Sequence, residues 1–265
     1  MTRVVQFRTL PVFGASERDV SEVVRGIMDG KTNNTGTITL ATGNATTTTL
    51  FDGRIGNESL LFFTPISAAA FADSMPYGAF QDSTNQTAAS TTAAYAITLN
   101  TTDYSNGVYV SNSSRINVRN AGVYNLQFSI QFKNTTNSSQ DIDVWFRKNG
   151  TDIAASNSRF GVPARHSSGD PSHFIGALNY FIELAANDYL QIMWRVTDTS
   201  VSIEAFAAGT SPTRPAVPSV ITTVNYISPN ASENIYVSAQ QQGQATVSHW
   251  ANSTSNKMYG YIIVG

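Results

Sequence analysis

The stretch that decides the fold is GVYNLQFSIQFK, residues 122–133, in which apolar and polar side chains alternate almost without interruption. Successive side chains of a β-strand point to opposite faces of a sheet, so this alternation predicts a long strand with one buried face. Further along, DIDVWFRKNGTDIAAS (141–156) carries Asn149-Gly150 between two β-like runs, a strong signal for a two-residue hairpin. Both segments predict antiparallel sheets.

Short segments of the same character lie on both sides of this stretch, separated by Gly, Asn, Asp and Pro. The predicted strands are 35–41, 46–51, 59–66, 94–100, 107–111, 115–119, two within 172–198, 201–208, 219–227, two within 234–252, and 258–265. Residues 81–92 are polar without periodicity and predict a loop. Strands at this spacing indicate a sandwich, a jelly roll or a barrel.

A single segment near the start of the chain predicts a helix. Ser16 is a suitable cap, with Glu17 and Asp19 in the first turn where the helix dipole favours anions. Its apolar residues repeat at helical spacing and form one stripe: Val20, Val23, Val24, Ile27 and Met28. Gly30 stands where a helix commonly stops.

The segment VVQFRTLPV (4–12), before the helix, predicts a short extended arm. A helix with one apolar face and an extended arm cannot form a domain alone, so both must dock on another surface. We therefore predict that residues 1–30 are a docking region and that the five stripe residues are its attachment site.

Composition excludes several classes of protein. The 265 residues carry 13% charged side chains, a net charge of −2, three His and no Cys. This balance argues against a nucleic-acid partner, and the lack of Cys excludes disulfides, thiolate metal sites and a cysteine nucleophile. No apolar run is long enough for membrane insertion, and the first residues lack a signal-peptide pattern. Abundant Thr, Ser and Asn indicate a low-charge, exposed structural protein.

No nucleotide-binding, zincin or hydrolase motif occurs in the sequence, so we expect neither an enzyme nor a cofactor. The best polar cluster is RHSSGDPSH (165–173), whose His166, Asp170, Ser172 and His173 could bind a metal or imitate part of a catalytic triad. We strongly favour the alternative, an exposed polar loop that contains Gly and Pro.

Three carboxylates and a third histidine also allow a functional and a structural interpretation. Asp141 and Asp143 fall on one strand face and could join Asp152 in a cation site. We favour solvent-facing carboxylates beside a hairpin. His249 lies in a predicted strand and is interpreted as a structural histidine. No catalytic, cofactor-binding or metal-binding residue is therefore predicted.

The two ends of the chain resemble one small β module of tailed-phage virion proteins. Residues 30–70 carry the "GK-x-N-x-TG" opening, a Thr-rich strand pair, "R-(I/V)-G-x-x-S" and "TP-x-(S/T)-A-x-A". The second half of that module is similar to IYVS (235–238), ATVSHWAN (245–252) and the final YGYIIVG. Here about 155 residues separate the halves, which are contiguous in the simplest members.

The intervening segment resembles a different family. GVYNLQFSIQF and LNYFIELAANDYLQIMW are similar to the "G-x-Y-x-(F/V)" strand and the "L-x-L-x-x-(G/N)-D" hairpin of C1q/TNF-like jelly rolls. Members of that family form tight homotrimers, and phages reuse them as knobs on fibres and capsid appendages. The resemblance implies a mainly β protein with a C1q/TNF-like jelly-roll sandwich, a small discontinuous β module and one N-terminal helix.

These resemblances imply three domains: a docking arm and helix (1–30), a discontinuous base (31–75 with 230–265) and a jelly-roll head (76–229). They imply a non-enzymatic structural protein of a phage virion, assembled in the host cytoplasm as a homotrimeric capsid-surface fibre or decoration protein. Its expected partners are its own copies and other virion proteins, bound through the N-terminal region. The alternatives are a tail fibre or adhesin that binds host surface glycan and, less favoured, a polysaccharide-degrading spike.

Overall fold

The computed structural model describes residues 10–28, 33–72, 76–228, 235–252 and 254–265. The chain is mainly β within these residues, as the strand pattern predicts. Residues 4–9 of the predicted arm and the domain borders at 73–75 and 229–230 lie outside the described residues.

The elements follow one another in this order. They are α1 (Glu17–Met28), β1 (Thr35–Thr39), β2 (Ala45–Phe51), β3 (Leu60–Pro65), α2 (Ala68–Ala72), β4 (Tyr77–Asp82), β5 (Gln86–Thr87), β6 (Tyr95–Ala96), β7 (Thr101–Asn106), β8 (Val108–Ser111), β9 (Arg115–Val118), β10 (Gly122–Asn134), β11 (Gln140–Lys148), β12 (Thr151–Asp152), β13 (Ser158–Val162), β14 (Ser172–Leu184), β15 (Tyr189–Val196), β16 (Val201–Ile203), β17 (Gly209–Thr210), β18 (Thr213–Arg214), β19 (Val220–Ser228), β20 (Tyr236–Gln241), β21 (Gln244–Asn252) and β22 (Met258–Val264).

The chain divides into two compact units, of which unit 1 comprises the residues up to Ala70 and those from Ile235 onward. Its strands come from both ends of the chain and form two three-stranded sheets, β1-β22-β3 and β2-β21-β20. The central strand of each sheet comes from the C-terminal part and pairs antiparallel with a strand from the N-terminal part. Seven buried apolar side chains form its core: Ile38, Leu50, Ile55, Ala245, Val247, Tyr261 and Ile263.

A polar contact ties the last strand of unit 1 to the turn after β2. The Tyr261 phenol donates a 2.6 Å hydrogen bond to Asp52, which also pairs with the Arg54 guanidinium. Arg54, helped by Tyr261, holds the pKa of Asp52 well below its ordinary value. Burial and the nearby Asp52 carboxylate raise the pKa of Tyr261 to about 12. The contact therefore joins residues more than two hundred positions apart.

Unit 2 comprises Phe71–Asn234 and is built around two larger antiparallel sheets. One has the order β5-β16-β10-β19-β4-β7, with β14 on the other side of β10; the second has the order β12-β11-β15-β9-β8, with β13 on β11 and β6 on β15. Buried side chains from both sheets form one continuous apolar cluster. Phe128 of β10 and Phe146 of β11 meet within it, with their ring centroids 6.0 Å apart.

Two local sequence patterns of unit 2 form the elements that they predict. Tyr124, Phe128 and Phe132 of the alternating stretch lie in the core, while the intervening side chains of β10 face the other way. Asn149 and Gly150 both have positive φ, 49° and 85°, and Lys148 pairs with Thr151. The predicted hairpin is confirmed, and it uses the mirror-image turn that suits twisted strands.

The first and last long strands of unit 2 are neighbours in the same sheet. Tyr77 of β4 lies opposite Asn225 of β19, and the Tyr226 amide donates a 3.0 Å hydrogen bond to the Pro76 carbonyl. The first and last described strands near the ends of this unit are therefore adjacent.

Several elements lie outside the predicted ones: α2 and the strands β4, β5, β7, β13, β17 and β18, of which β5 falls within residues 81–92, predicted as a loop. The segment YGAFQD of β4 has few β-branched residues and a glycine, so it shows little intrinsic preference for a strand. It is a strand because it pairs with β19 on one side and β7 on the other. The short α2 is capped by Ser67, whose hydroxyl accepts a hydrogen bond from the Ala70 amide at 3.2 Å.

Candidate functional site

The predicted attachment helix begins after Ser16, as expected, and extends to Met28; Gly30, the predicted stop, lies outside the described residues. The Asp19 amide donates to the Ser16 hydroxyl at 3.3 Å, and the Ser16 amide donates to the Asp19 carboxylate at 3.0 Å. This reciprocal arrangement caps the first turn. Arg18 and Glu22 form a 2.9 Å ion pair one turn apart, on the side of the helix opposite the apolar stripe. The helix is therefore amphipathic.

The five predicted attachment residues share one face of α1, and none of the twelve helical residues is buried. Val20, Val24, Ile27 and Met28 are exposed, whereas Val23 is half-buried. An amphipathic helix gains most of its stability by packing its apolar face. This stripe is therefore suited to binding another apolar surface.

The outer face of the sheet that contains β10 is a second exposed apolar surface. Side chains that alternate with the core-facing ones project from β14, β19, β4 and β7. The exposed apolar and aromatic ones are Tyr77, Tyr104, Ile175, Phe181, Ile221 and Ile227. Register places Ile221 beside Ser129 of β10 and Ala177 of β14 beside the same serine. Gln127, Asn179 and Ala177 lie between Ile175 and Phe181 in the register. Charged side chains lie towards the margins of the face, where Lys133 is opposite His173, Glu183 is opposite Val123 and Asp103 is bound by Gln81 at 2.7 Å. The apolar part of the face is suited to contact with another protein.

The outer face of the second sheet is charged instead. Asp143 of β11, with 4% of its side chain exposed, lies between Arg159 of β13 and Arg195 of β15, each at 2.8 Å. The Arg159 guanidinium, together with Arg195, holds the pKa of Asp143 below its ordinary value. Asp152 is bound by Arg147 at 2.6 Å. Because arginines neutralise these carboxylates, they do not form the cation site considered from the sequence.

The polar loop at 165–173 does not assemble a catalytic triad. Ser172 is buried and its hydroxyl donates to the Pro163 carbonyl, while His173, the next residue of β14, is on the opposite, exposed face of the strand. His173 instead contacts Glu204 at 2.9 Å, and Glu204 also binds Lys133 at 2.5 Å. Burial acts to raise the pKa of Glu204, but these two hydrogen bonds outweigh it and lower the pKa. The His166 amide donates only to the Asp170 carbonyl, at 3.0 Å.

His249 is buried in unit 1 and both of its ring nitrogens have partners. Nδ1 lies 2.7 Å from the Trp250 carbonyl, so this nitrogen carries the proton and Nε2 accepts from the Thr48 hydroxyl at 2.8 Å. Desolvation lowers the pKa of His249. The geometry agrees with a structural histidine that joins β21 to β2.

Across the described ranges, no group of three or more His, Asp or Glu residues is placed to hold a metal ion. Within the same ranges, none of the helices has the length and hydropathy needed to span a bilayer. No protein-family model matches the chain, and no curated protein is similar enough to count as a match.

Sequence reasoning found the helix stripe but missed the apolar outer face of unit 2. A usable signal was present, since segments such as NYFIEL (179–184) and SVITTV (219–224) carry apolar residues at both odd and even positions. Apolar side chains on both faces of a strand indicate either burial between two layers or an exposed interface. The sequence alone cannot separate these two cases.

Proposed function

We propose that this chain is a non-enzymatic structural protein of a bacteriophage virion, a homotrimeric fibre or decoration protein on the capsid surface. The observation that carries the proposal is the composite unit 1, in which strands from residues 35–65 pair with strands from residues 236–264. This arrangement supports the resemblance of both chain ends to one small phage module.

We also propose that unit 2 is a C1q/TNF-like jelly roll and forms the projecting head. Its strands form two seven-stranded antiparallel sheets that share one apolar core, a two-layer arrangement that supports a jelly-roll sandwich. The pairing of Tyr77 with Asn225 supports an inserted domain, because insertion requires the guest's ends to lie close together.

The trimer would form through the outer face of the sheet β14-β10-β19-β4-β7. This face exposes Ile175, Phe181 and Ile221, whereas the other sheet presents arginine–aspartate pairs. Apolar surface of this kind is what buried interfaces between copies contain. A ring of three copies would cover it with contacts that close on themselves.

The attachment of the trimer to the particle would use residues 1–30. Val20, Val24 and Ile27 offer an apolar stripe with charged side chains on the opposite face. A neighbouring virion protein with an apolar groove would take up this helix in the way that grooves bind amphipathic helices.

Immunogold labelling of intact particles of the encoding phage tests the proposal directly. Label on the capsid surface is the expected result. Label on the tail would favour the tail-fibre alternative with its glycan ligand, and particles without label would overturn the virion assignment.

A paired substitution tests the attachment site. We expect Val24→Asp to leave a soluble trimer that no longer joins particles, because a carboxylate on the stripe would be desolvated on docking. Arg18→Ala, on the opposite face of the same helix, serves as the matched control and should be incorporated normally. Full incorporation of Val24→Asp would remove the helix from the attachment site.

A further inference from the structure

The sheet β1-β22-β3 of unit 1 has one covered face and one bare face. Tyr261 and Ile263 of its central strand point into the core. The alternating residues point outward with much of their surface exposed: Leu60 at 60%, Phe62 at 59%, Ile262 at 44% and Val264 at 48%.

Strand register gathers these outward side chains into one patch. Ile262 lies opposite Phe62, and Val264 lies opposite Leu60. A Cβ atom on Gly260 would lie 3.2 Å from Cγ2 of Ile66, so Ile66 extends the patch along the same face. Together these side chains expose apolar surface on the scale of a few hundred Å², the size at which such patches mark interaction sites.

The three strands around the patch contain no charged residue: their sequences are TGTIT, LLFFTP and MYGYIIV. The outward positions on β1 are Thr35, Thr37 and Thr39, which are uncharged as well. A charged partner would therefore meet no complementary group on this face. A second copy of the same face can approach it without like-charge repulsion.

The edge of this sheet is open as well as apolar. Among the described residues, β3 pairs only with β22. A groove of about 430 Å³ runs beside it, between β3 and β20, and is lined by Leu61, Phe63, Ile235 and Val237 among others. An exposed apolar edge strand invites aggregation unless the working assembly covers it.

We propose that the outer face of β1-β22-β3 is an interface between copies of this chain, with the central strands of the copies converging on the trimer axis. The proposal rests on the homotrimer of the proposed function. Once heads hold three copies together, the effective concentration of their unit 1 faces is on the order of millimolar. The central-strand residue Ile262 then lies closest to its counterparts.

Disulfide trapping in the full-length chain tests this arrangement, because the protein has no cysteine of its own. We expect Ile262→Cys to link pairs of chains rapidly under mild oxidation, since a disulfide needs Cα atoms within about 7 Å. Thr49→Cys is the matched control: Thr49 is exposed on β2, in the other sheet of unit 1, and should remain unlinked. Val264→Cys repeats the test if Ile262→Cys misfolds.

The outcomes separate this interface from the trimer itself. A trimeric mass with Ile262→Cys linking no faster than Thr49→Cys overturns the interface and leaves the proposed trimer standing. A monomeric mass overturns the trimer. If Ile262→Cys also fails to link rapidly, the interface is overturned as well. If Ile262→Cys links rapidly, the result still supports contact between copies at this face. An intrachain disulfide in the double variant Val24→Cys/Ile262→Cys would show that α1 covers the patch, which also overturns the interface.

Discussion

The two units of this chain differ in how many apolar side chains they bury. Unit 2 encloses 26 buried apolar residues in a single cluster, enough to hold two large sheets together. Unit 1 encloses seven and leaves side chains such as Phe62 and Ile262 exposed beside them. Because small domains bury a smaller fraction of their surface, we infer that unit 2 is stable alone and that unit 1 depends on further contacts.

The largest expected effect comes from separating the two units. Residues 76–229 expressed alone should fold as a β trimer that melts cooperatively, because the large core lies wholly within them. Residue 75 joined to residue 230 by a short Gly/Ser linker should give a folded base with a lower melting temperature. Circular dichroism and calorimetry measure both, and a disordered 76–229 fragment would refute the comparison.

Truncation of an aromatic side chain in the core of unit 2 should destabilise that unit and leave unit 1 unchanged. Phe132 is fully buried and its ring centroid lies 5.8 Å from that of Phe160. Phe132→Ala should cost about 3–5 kcal/mol of unfolding free energy through lost burial and a cavity.

The matched control is Phe51→Ala in unit 1, where 74% of the side chain is exposed and the expected change is within about 0.5 kcal/mol. Denaturant unfolding of both variants provides the measurement. Equal losses of unfolding free energy in the two variants would mean that Phe51 is buried by a contact outside this structure.

The Asp52–Tyr261 contact should matter only to unit 1. Tyr261→Phe removes a donor to a carboxylate and should cost about 1–3 kcal/mol. In an alkaline absorbance titration, the wild type should show a tyrosine ionisation near pH 12 that comes from Tyr261, and the variant should lose this contribution. Because folding raises the pKa of Tyr261, the stabilisation by the Asp52–Tyr261 hydrogen bond is complete below the ordinary tyrosine pKa. This stabilisation is lost as the pH rises through about 12.

Tyr236→Phe, on an exposed strand of the same unit, is the control for that titration. It should leave the ionisation near pH 12 in place. Loss of this ionisation in the control would reassign it away from Tyr261.

The smallest expected effect is the pH dependence of His249. Its pKa is lowered by desolvation, so the neutral ring contributes stability that is fully present above pH 6.5 and is lost as the pH falls through the folded-state pKa. Unit 1 should therefore weaken between pH 7.5 and 5.5, and His249→Gln should flatten this dependence. An unchanged slope in the variant would show that another group causes it.

Much of unit 2 follows from local sequence signals. The alternation of residues 122–133 predicts β10 because one face of the strand meets the core. Asn149 and Asn187 predict tight turns because asparagine tolerates positive φ, which both adopt. In the helix, Ser16 predicts the start of α1 for an equally local reason.

Other features depend on contacts that a single segment does not reveal. In β4, YGAFQD becomes a strand only through pairing with β19 and β7. In β22, YIIV (261–264) carries four apolar residues, of which Tyr261 and Ile263 are buried while Ile262 and Val264 are exposed. Which pair faces the core is set by packing against the other sheet of unit 1, so the patch could not be predicted from the sequence of β22 alone.

The mass of the purified full-length protein in solution tests the central claim most directly. Light scattering at micromolar concentration should give three times 28.6 kDa if, as we propose, the outer face of the unit 2 sheet and the bare face of unit 1 are covered by other copies. A homogeneous species of 28.6 kDa would contradict the trimer.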